Sequence, residues 1–255
     1  QVTMVNGVPV GLSWKIDGTD NISLEAILQR IAYAQRFSGI FSSIAESASL
    51  LNPSPIEVSS SWRSSEVKLL SPIGAEINPV RECRNIMRRD AFTSQTQLPP
   101  RAKLKQCDIL QFSARGVLSG VRDVNRIHID SKFCVRAQYT RIEDNRTKLS
   151  LGDDMIMCSD CPDGYSAGHE QLFVLVSEAR VNQEPLNLEG VVDNCTSRSG
   201  TRGIGQQTIS NFLKSLGKQP GTRGSMGGFA TENVWVERLD WQVVPRVSVL
   251  QLTKQ

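Results

Sequence analysis

The stretch from Cys158 to Val176, CSDCPDGYSAGHEQLFVLV, contains the residue types best suited to chemistry in this chain. Cys158 and Cys161 form a CxxC pair, and His169 and Glu170 follow after a Pro-Asp-Gly sequence. Two thiols, an imidazole and a carboxylate so close together are compatible with a metal site, a redox site or a catalytic site. They are equally compatible with a disulfide-pinned turn beside a core strand.

The surroundings of the CxxC pair favour a structural role. A structural zinc site takes four ligands, and no second thiol pair follows, because the other cysteines are scattered singly at Cys83, Cys107, Cys134 and Cys195. A redox dithiol sits at the start of a helix, whereas Pro162-Asp163-Gly164 predicts a turn. We therefore predict that Cys158 and Cys161 form a structural disulfide or a packed thiol pair, with no metal.

Histidine is too scarce for an obvious catalytic site. A nucleophilic cysteine needs a histidine within hydrogen-bonding reach, and the chain contains only His128 and His169. His128 lies in an alternating segment, Arg126 to Asp130, that predicts a strand with one buried face, so we expect it to pack or hydrogen-bond there. We predict no catalytic residue and no cofactor, and keep a cysteine- or metal-dependent enzyme as the second alternative function.

Composition narrows the class of protein. The chain has 255 residues, 39% of them hydrophobic and 22% charged, which is typical of a folded domain, and no apolar run is long enough to span a bilayer. A net charge of +3 does not favour nucleic acid, and we interpret the basic excess from Cys195 to Gln255 as a solvated face. The even number of cysteines suits either a few disulfides in an exported protein or reduced thiols in the core; of these we predict an exported, periplasmic or extracellular protein.

Residue patterns predict a mainly β protein with an N-terminal helical extension. Asn6-Gly7 indicates a hairpin, Ser23–Leu51 has helical spacing that Gly39 divides, and Ile56–Trp62 suits an edge strand. Strands with sandwich-like spacing follow at Ile109–Ser113, Asn125–Asp130, Phe133–Tyr139, Met155–Cys158, Leu172–Glu178 and Asn233–Val244, with one late helix at Gln206–Leu216. We divide the chain into an N-terminal hairpin, helix and connector (1–100) and an antiparallel β-sandwich domain (101–255).

Six segments in order resemble one known family. They are CDILQFSARG, an Ile-His-Ile-Asp strand, PDGYSAGHEQLFVLVSEA, ISNFLKSLG, Gly-Thr-Arg-Gly and ENVWVERLDWQVV. Over residues 104–244 the chain resembles the β-rich domain of unknown function found C-terminal to caspase-like cysteine peptidases in many bacteria. The peptidase's own His-Gly and strand-end cysteine are absent, and the first 100 residues are not part of the match.

The resemblance implies an immunoglobulin-like sandwich that serves as a non-catalytic accessory or recognition module, or a processed C-terminal product. Its partner would be a protein, either a peptidase domain or another exported component. We expect recognition through loops at one end of the sandwich, 159–169 and 199–228, because loops on a rigid scaffold carry such function. The contacts we predict are Tyr165, Arg202, Arg223 and Trp235.

The first alternative function is an exported structural subunit that binds copies of itself. The apolar hairpin Val2–Val10 and the strand-like tail Val247–Leu252 suit docking on the open sheet edge of a neighbouring molecule. This alternative predicts a homo-oligomer formed by exchange of strands or termini.

Overall fold

The structure is a computed structural model. It describes one helix and ten strands, within residues 24–51, 57–64, 96–99, 101–105, 107–115, 120–142, 148–151, 155–157, 168–178, 186–189, 192–193 and 234–244.

One five-stranded sheet, sheet A, contains the longest strands. Its strands are β3 (Ala102–Lys105), β5 (Arg122–Ile129), β6 (Val135–Ile142), β9 (Gly168–Glu178) and β10 (Val234–Val244). Their order in the sheet is β3-β10-β9-β5-β6. All neighbouring pairs are antiparallel except β3 and β10, which are parallel, so the predicted antiparallel sandwich has one parallel edge pair.

The second sheet, sheet B, packs against one face of sheet A. Its strands are β1 (Glu57–Arg63), β2 (Thr96–Gln97), β4 (Ile109–Arg115), β7 (Lys148–Ser150) and β8 (Met155–Ile156). Their order is β2-β1-β4-β7, and β8 also pairs with β4. The seven-residue strand β1 pairs with β4 along its whole length, from Glu57 opposite Arg115 to Arg63 opposite Ile109. A strand from the N-terminal hundred residues is therefore built into the sandwich.

Sheet A is covered on both faces, which gives the molecule three layers and two cores. On one face, Phe173 and Leu175 pack with the buried side of the helix. On the other face, Leu172, Val174 and Val176 pack against sheet B. The run Leu172–Val176 is therefore continuously apolar because alternate residues of β9 enter different cores.

The single described helix, α1 (Leu24–Leu51), is an amphipathic cover for sheet A. Its buried residues recur at helical intervals, and Phe41 contacts Phe173 of β9 with ring centroids 5.7 Å apart. They are Ile27, Ala34, Phe37, Phe41 and Ile44. Gly39 does not divide the helix as expected, because tertiary packing on both sides of this residue outweighs its weak propensity. No helix in the described ranges combines the length and the hydropathy needed to cross a membrane.

The structure thus confirms a mainly β sandwich with an N-terminal helical extension. Every strand predicted between Ile109 and Val244 is present, with ends that differ by a few residues. The described part of the predicted edge strand, from Glu57 onward, does form a strand, β1 (Glu57–Arg63), but it lies between β2 and β4 rather than at an edge. The predicted hairpin at Asn6-Gly7, the tail 247–252 and the helix at 206–216 lie outside the described residues.

Two glycines provide a matched test of this architecture. Gly39 is exposed in mid-helix and a Cβ there would meet no atom within 4 Å, so Gly39→Ala should raise the free energy of unfolding by about 0.5–1 kcal/mol. At Gly168 a Cβ would lie 2.7 Å from the Cβ of Ser131, so Gly168→Ala should destabilise the protein by about 1–3 kcal/mol. Urea unfolding measures both. A destabilising Gly39→Ala would contradict the continuous helix.

Candidate functional site

The two faces of β9 separate neighbouring polar residues into different environments. His169 lies on the helix side, 42% exposed, and its Nε2 is 3.4 Å from Asp240 Oδ2. Glu170 points towards sheet B and is buried. Because successive strand residues point to opposite faces, His169 and Glu170 cannot act as a base–acid pair on one substrate.

Glu170 forms the centre of a buried polar cluster with His128 and Trp241. The Nε2 atom of His128 lies 3.0 Å from Glu170 Oε2, and the indole Nε1 of Trp241 donates to the same oxygen at 3.2 Å. The imidazole also stacks on the Trp241 ring, with centroids 5.8 Å apart and planes inclined by 12°. The strand register brings these three side chains together. Trp241 lies opposite Glu170, and His128 lies opposite Leu172, which is two residues along β9 from Glu170 and on the same face.

Asp130 closes the β5–β6 hairpin beside this cluster. Its Oδ1 accepts hydrogen bonds from the backbone amides of Lys132 and Cys134, both at 2.8 Å, and Phe133 completes the turn with a φ of 61°. Burial raises the pKa of the Asp130 carboxyl, and the negative charge of Glu170 acts in the same direction. The two amides and His128 oppose this increase only in part.

The cluster has the contacts of a structural element. The described hydrogen bonds of Glu170 go to His128 and Trp241, and the carboxylate of Asp130 is used to hold a turn. These interactions fix the position of His128, as we expected for a packed or hydrogen-bonded histidine. The prediction that this strand has one buried face is wrong, because β5 is covered on both sides. Arg126 is therefore buried, and its guanidinium donates hydrogen bonds to the backbone carbonyl of Leu151 and to the side chain of Gln138.

A different arrangement occupies the opposite end of sheet A, which we call the Trp235 end and define by Arg122, Ile142, Glu178 and Val234, where β5 and β10 begin and β6 and β9 finish. There the guanidinium of Arg122 lies over the ring of Trp235, with Cζ 5.9 Å from the centroid. An Nη atom of Arg122 pairs with Glu178 at 3.0 Å. Sequence reasoning selected Trp235 and missed Arg122, which only the strand register brings beside it.

The loops predicted to form one recognition surface join sheet A at opposite ends. The connection containing 159–167 leads into the start of β9 at Gly168. The connection containing 199–228 follows the end of β9 and leads into β10, next to Trp235. We expected both loops at one end of the sandwich. The described strand ends to which they attach lie at opposite ends of sheet A, because β9 runs from one end of the sheet to the other between them.

Of the four predicted contact residues, the structure describes only Trp235. Trp235 is partly exposed, as a contact residue must be. Tyr165, Arg202, Arg223, Cys158 and Cys161 lie outside the described residues, so their roles stay predictions. Among the described cysteines, Cys107 and Cys134 are both disulfide-bonded and neither is a free thiol. Within the same ranges no three His, Cys, Asp or Glu residues are placed to hold a metal ion.

Comparison with known proteins adds no identity: neither the protein-family models nor the curated proteins include a match to this chain.

Removal of the shared acceptor tests the structural role of the buried cluster. Glu170→Ala leaves the His128 and Trp241 donors without their carboxylate, and we expect it to lower the free energy of unfolding by about 3 kcal/mol. Glu170→Gln retains an acceptor and should cost less. The matched control is Asp240→Ala, which removes the exposed partner of His169 and should cost less than about 1 kcal/mol. Equal losses in chemical denaturation of the two alanine variants would contradict this assignment.

The raised pKa of Asp130 predicts a pH dependence of defined sign. A carboxyl whose pKa is higher in the folded state stabilises the fold when protonated, and this contribution is lost as the pH rises through the folded pKa. Asp130→Asn keeps an acceptor for both turn amides without titrating. Its stability relative to wild type should therefore be greater at about pH 7 than at about pH 4 in urea titrations. Asp130→Ala loses the acceptor and should be destabilised at both; a pH-independent difference for Asp130→Asn would refute the assignment.

Proposed function

We propose that this chain is a non-catalytic recognition domain that binds a partner protein at the Trp235 end. The observation that carries the proposal is the Arg122–Trp235 pair, an arginine whose guanidinium lies over the ring of a partly exposed tryptophan where β5 and β10 begin. Tryptophan and arginine are the residue types most enriched at the energetic centres of protein interfaces. Connections attached to strand ends are also where a rigid sandwich carries binding residues.

The resemblance to the domain attached to caspase-like peptidases supports the same class of function. On that basis we propose an accessory domain, or processed C-terminal product, of a caspase-like exported protein. The partly buried His128–Glu170 pair is used in packing with Trp241, which is compatible with the non-catalytic role that we propose. Arg202 and Arg223 belong to the connection that enters β10 next to Trp235, and we retain them as proposed contacts.

Self-assembly by strand addition is the alternative that a specific feature favours. In the described part of the chain, sheet A finishes at β6, an eight-residue strand with only β5 as its neighbour. Exposed arginines at 136 and 141 on this strand oppose pairing with an identical copy, because like charges would face each other. Light scattering separates the two functions: a monodisperse monomer argues against self-assembly, and a concentration-dependent oligomer argues for it.

Selection of displayed random peptides on the purified protein tests the proposal directly. We expect enrichment of a peptide motif whose affinity falls by about thirtyfold or more, at least about 2 kcal/mol, in Trp235→Ala. The control is Leu28→Ala, which removes an exposed apolar side chain from the helix layer and should not alter binding. Failure to enrich any motif, or equal binding by Trp235→Ala, would refute recognition at this end.

A further inference from the structure

The side chain of Arg122 has one hydrogen-bond donor that none of the described residues accepts. Arg122 is 8% exposed, and its two Nη atoms contact Glu178 Oε1 at 3.0 Å and the carbonyl of Val121 at 3.4 Å. Its Nε atom is buried and has no hydrogen-bond partner among the described residues. A buried donor without an acceptor is unfavourable, so this N–H group is available to an acceptor from a bound partner.

The tryptophan beneath the Arg122 guanidinium has a second donor of this kind. The indole Nε1 of Trp235 is also buried and has no hydrogen-bond partner in the described part of the chain. Trp235 packs with the core between the two sheets, on the same side of sheet A as Val124 and Val176. Arg122 lies on that side too, two residues before Val124, so both unused donors belong to one location. The unpaired hydroxyl of Ser177 lies on the other face and is not part of it.

We infer that the Trp235 end contains a subsite for a carboxylate of the bound partner, which accepts hydrogen bonds from Arg122 Nε and Trp235 Nε1. This inference rests on the proposed function and specifies the chemistry that the partner presents there. The occupant is an Asp or Glu side chain, or a chain-terminal carboxylate, of an acidic peptide segment.

The guanidinium charge of Arg122 favours an anion over a neutral acceptor at the subsite. Glu178 neutralises one edge of the Arg122 guanidinium, but its side chain is 36% exposed and therefore competes weakly with a bound carboxylate. A carboxylate has two acceptor oxygens, which matches two neighbouring N–H donors better than a single carbonyl does.

A pair of matched peptides provides the test. The probes are acetyl-Ala-Asp-Ala-amide and acetyl-Ala-Asn-Ala-amide, added to ¹⁵N-labelled wild-type protein while the Trp235 Nε1–H and Arg122 Nε–H resonances are followed by NMR. We expect both resonances to shift saturably with the Asp peptide, and the Asn peptide to bind about tenfold more weakly, since one charge-assisted hydrogen bond accounts for ~1.4 kcal/mol.

Conservative variants assign the resonances and test each donor separately. Trp235→Phe keeps an aromatic ring, and Arg122→Lys keeps the positive charge that faces Glu178. Each should weaken binding of the Asp peptide by about fivefold or more, whereas the control Arg136→Lys, on exposed β6, should leave it unchanged. Unshifted resonances, equal binding of the Asp and Asn peptides, or unchanged binding by Arg122→Lys would each overturn the subsite.

The two proposals fail in distinguishable ways. Selection of neutral peptides that depend on Trp235 would support the recognition function and overturn the carboxylate subsite. Saturable binding of the Asp peptide without any selected motif would support the subsite and refute protein recognition at this end.

Discussion

Burial of sheet A on both faces is the constraint on which the rest of the structure depends. Where a strand faces two cores it has no solvent side, so the buried polar residues in the middle of β5 and β9 form their hydrogen bonds within the protein. Arg122 Nε and Ser177 Oγ, near the strand ends, are the exceptions among the described residues of these two strands. Apolar residues meet this requirement by packing, as Phe173 does against α1 and Leu172 does against sheet B. Polar residues meet it only through specific partners, and those partners determine how the other elements are arranged.

Asn125 illustrates how one buried polar residue can place a distant segment. Its side-chain amide donates to the carbonyl of Leu186 at 2.8 Å and accepts from the amide of Leu188 at 2.8 Å. This pair of bonds imitates a strand ladder and holds Leu188 in the core beneath α1. The position of the segment therefore follows from the need to satisfy an amide that β5 carries into the interior.

The sequence patterns predicted the positions of the strands better than they predicted which side chains contact each other. Alternation and apolar runs were sufficient for β5, β9 and β10, because periodicity directly reflects the side of a strand that is buried. The burial of β5 on both faces was not predicted, since polar residues such as Arg126 and His128 usually indicate a face that is exposed to solvent. Their compensating groups are distant in the chain: Glu170 is 42 residues from His128, and Gln138 is 12 residues from Arg126. Alternation along one strand contains no information about which residue lies across the sheet.

The same limit explains why Trp235 was predicted as a binding residue without Arg122. An aromatic residue beside a long Gly-rich connection is visible in the sequence, whereas the arginine reaches it only because β5, β9 and β10 align in register. The two ends of sheet A then differ in a physically meaningful way. At the hairpin end, Asp130 and Glu170 accept hydrogen bonds from nearby amide, imidazole and indole groups. At the Trp235 end, Arg122 Nε and Trp235 Nε1 are buried and have no hydrogen-bond partner among the described residues. The polar groups at the hairpin end therefore stabilise the fold, whereas the two donors at the Trp235 end are the ones to which we assign a role in binding.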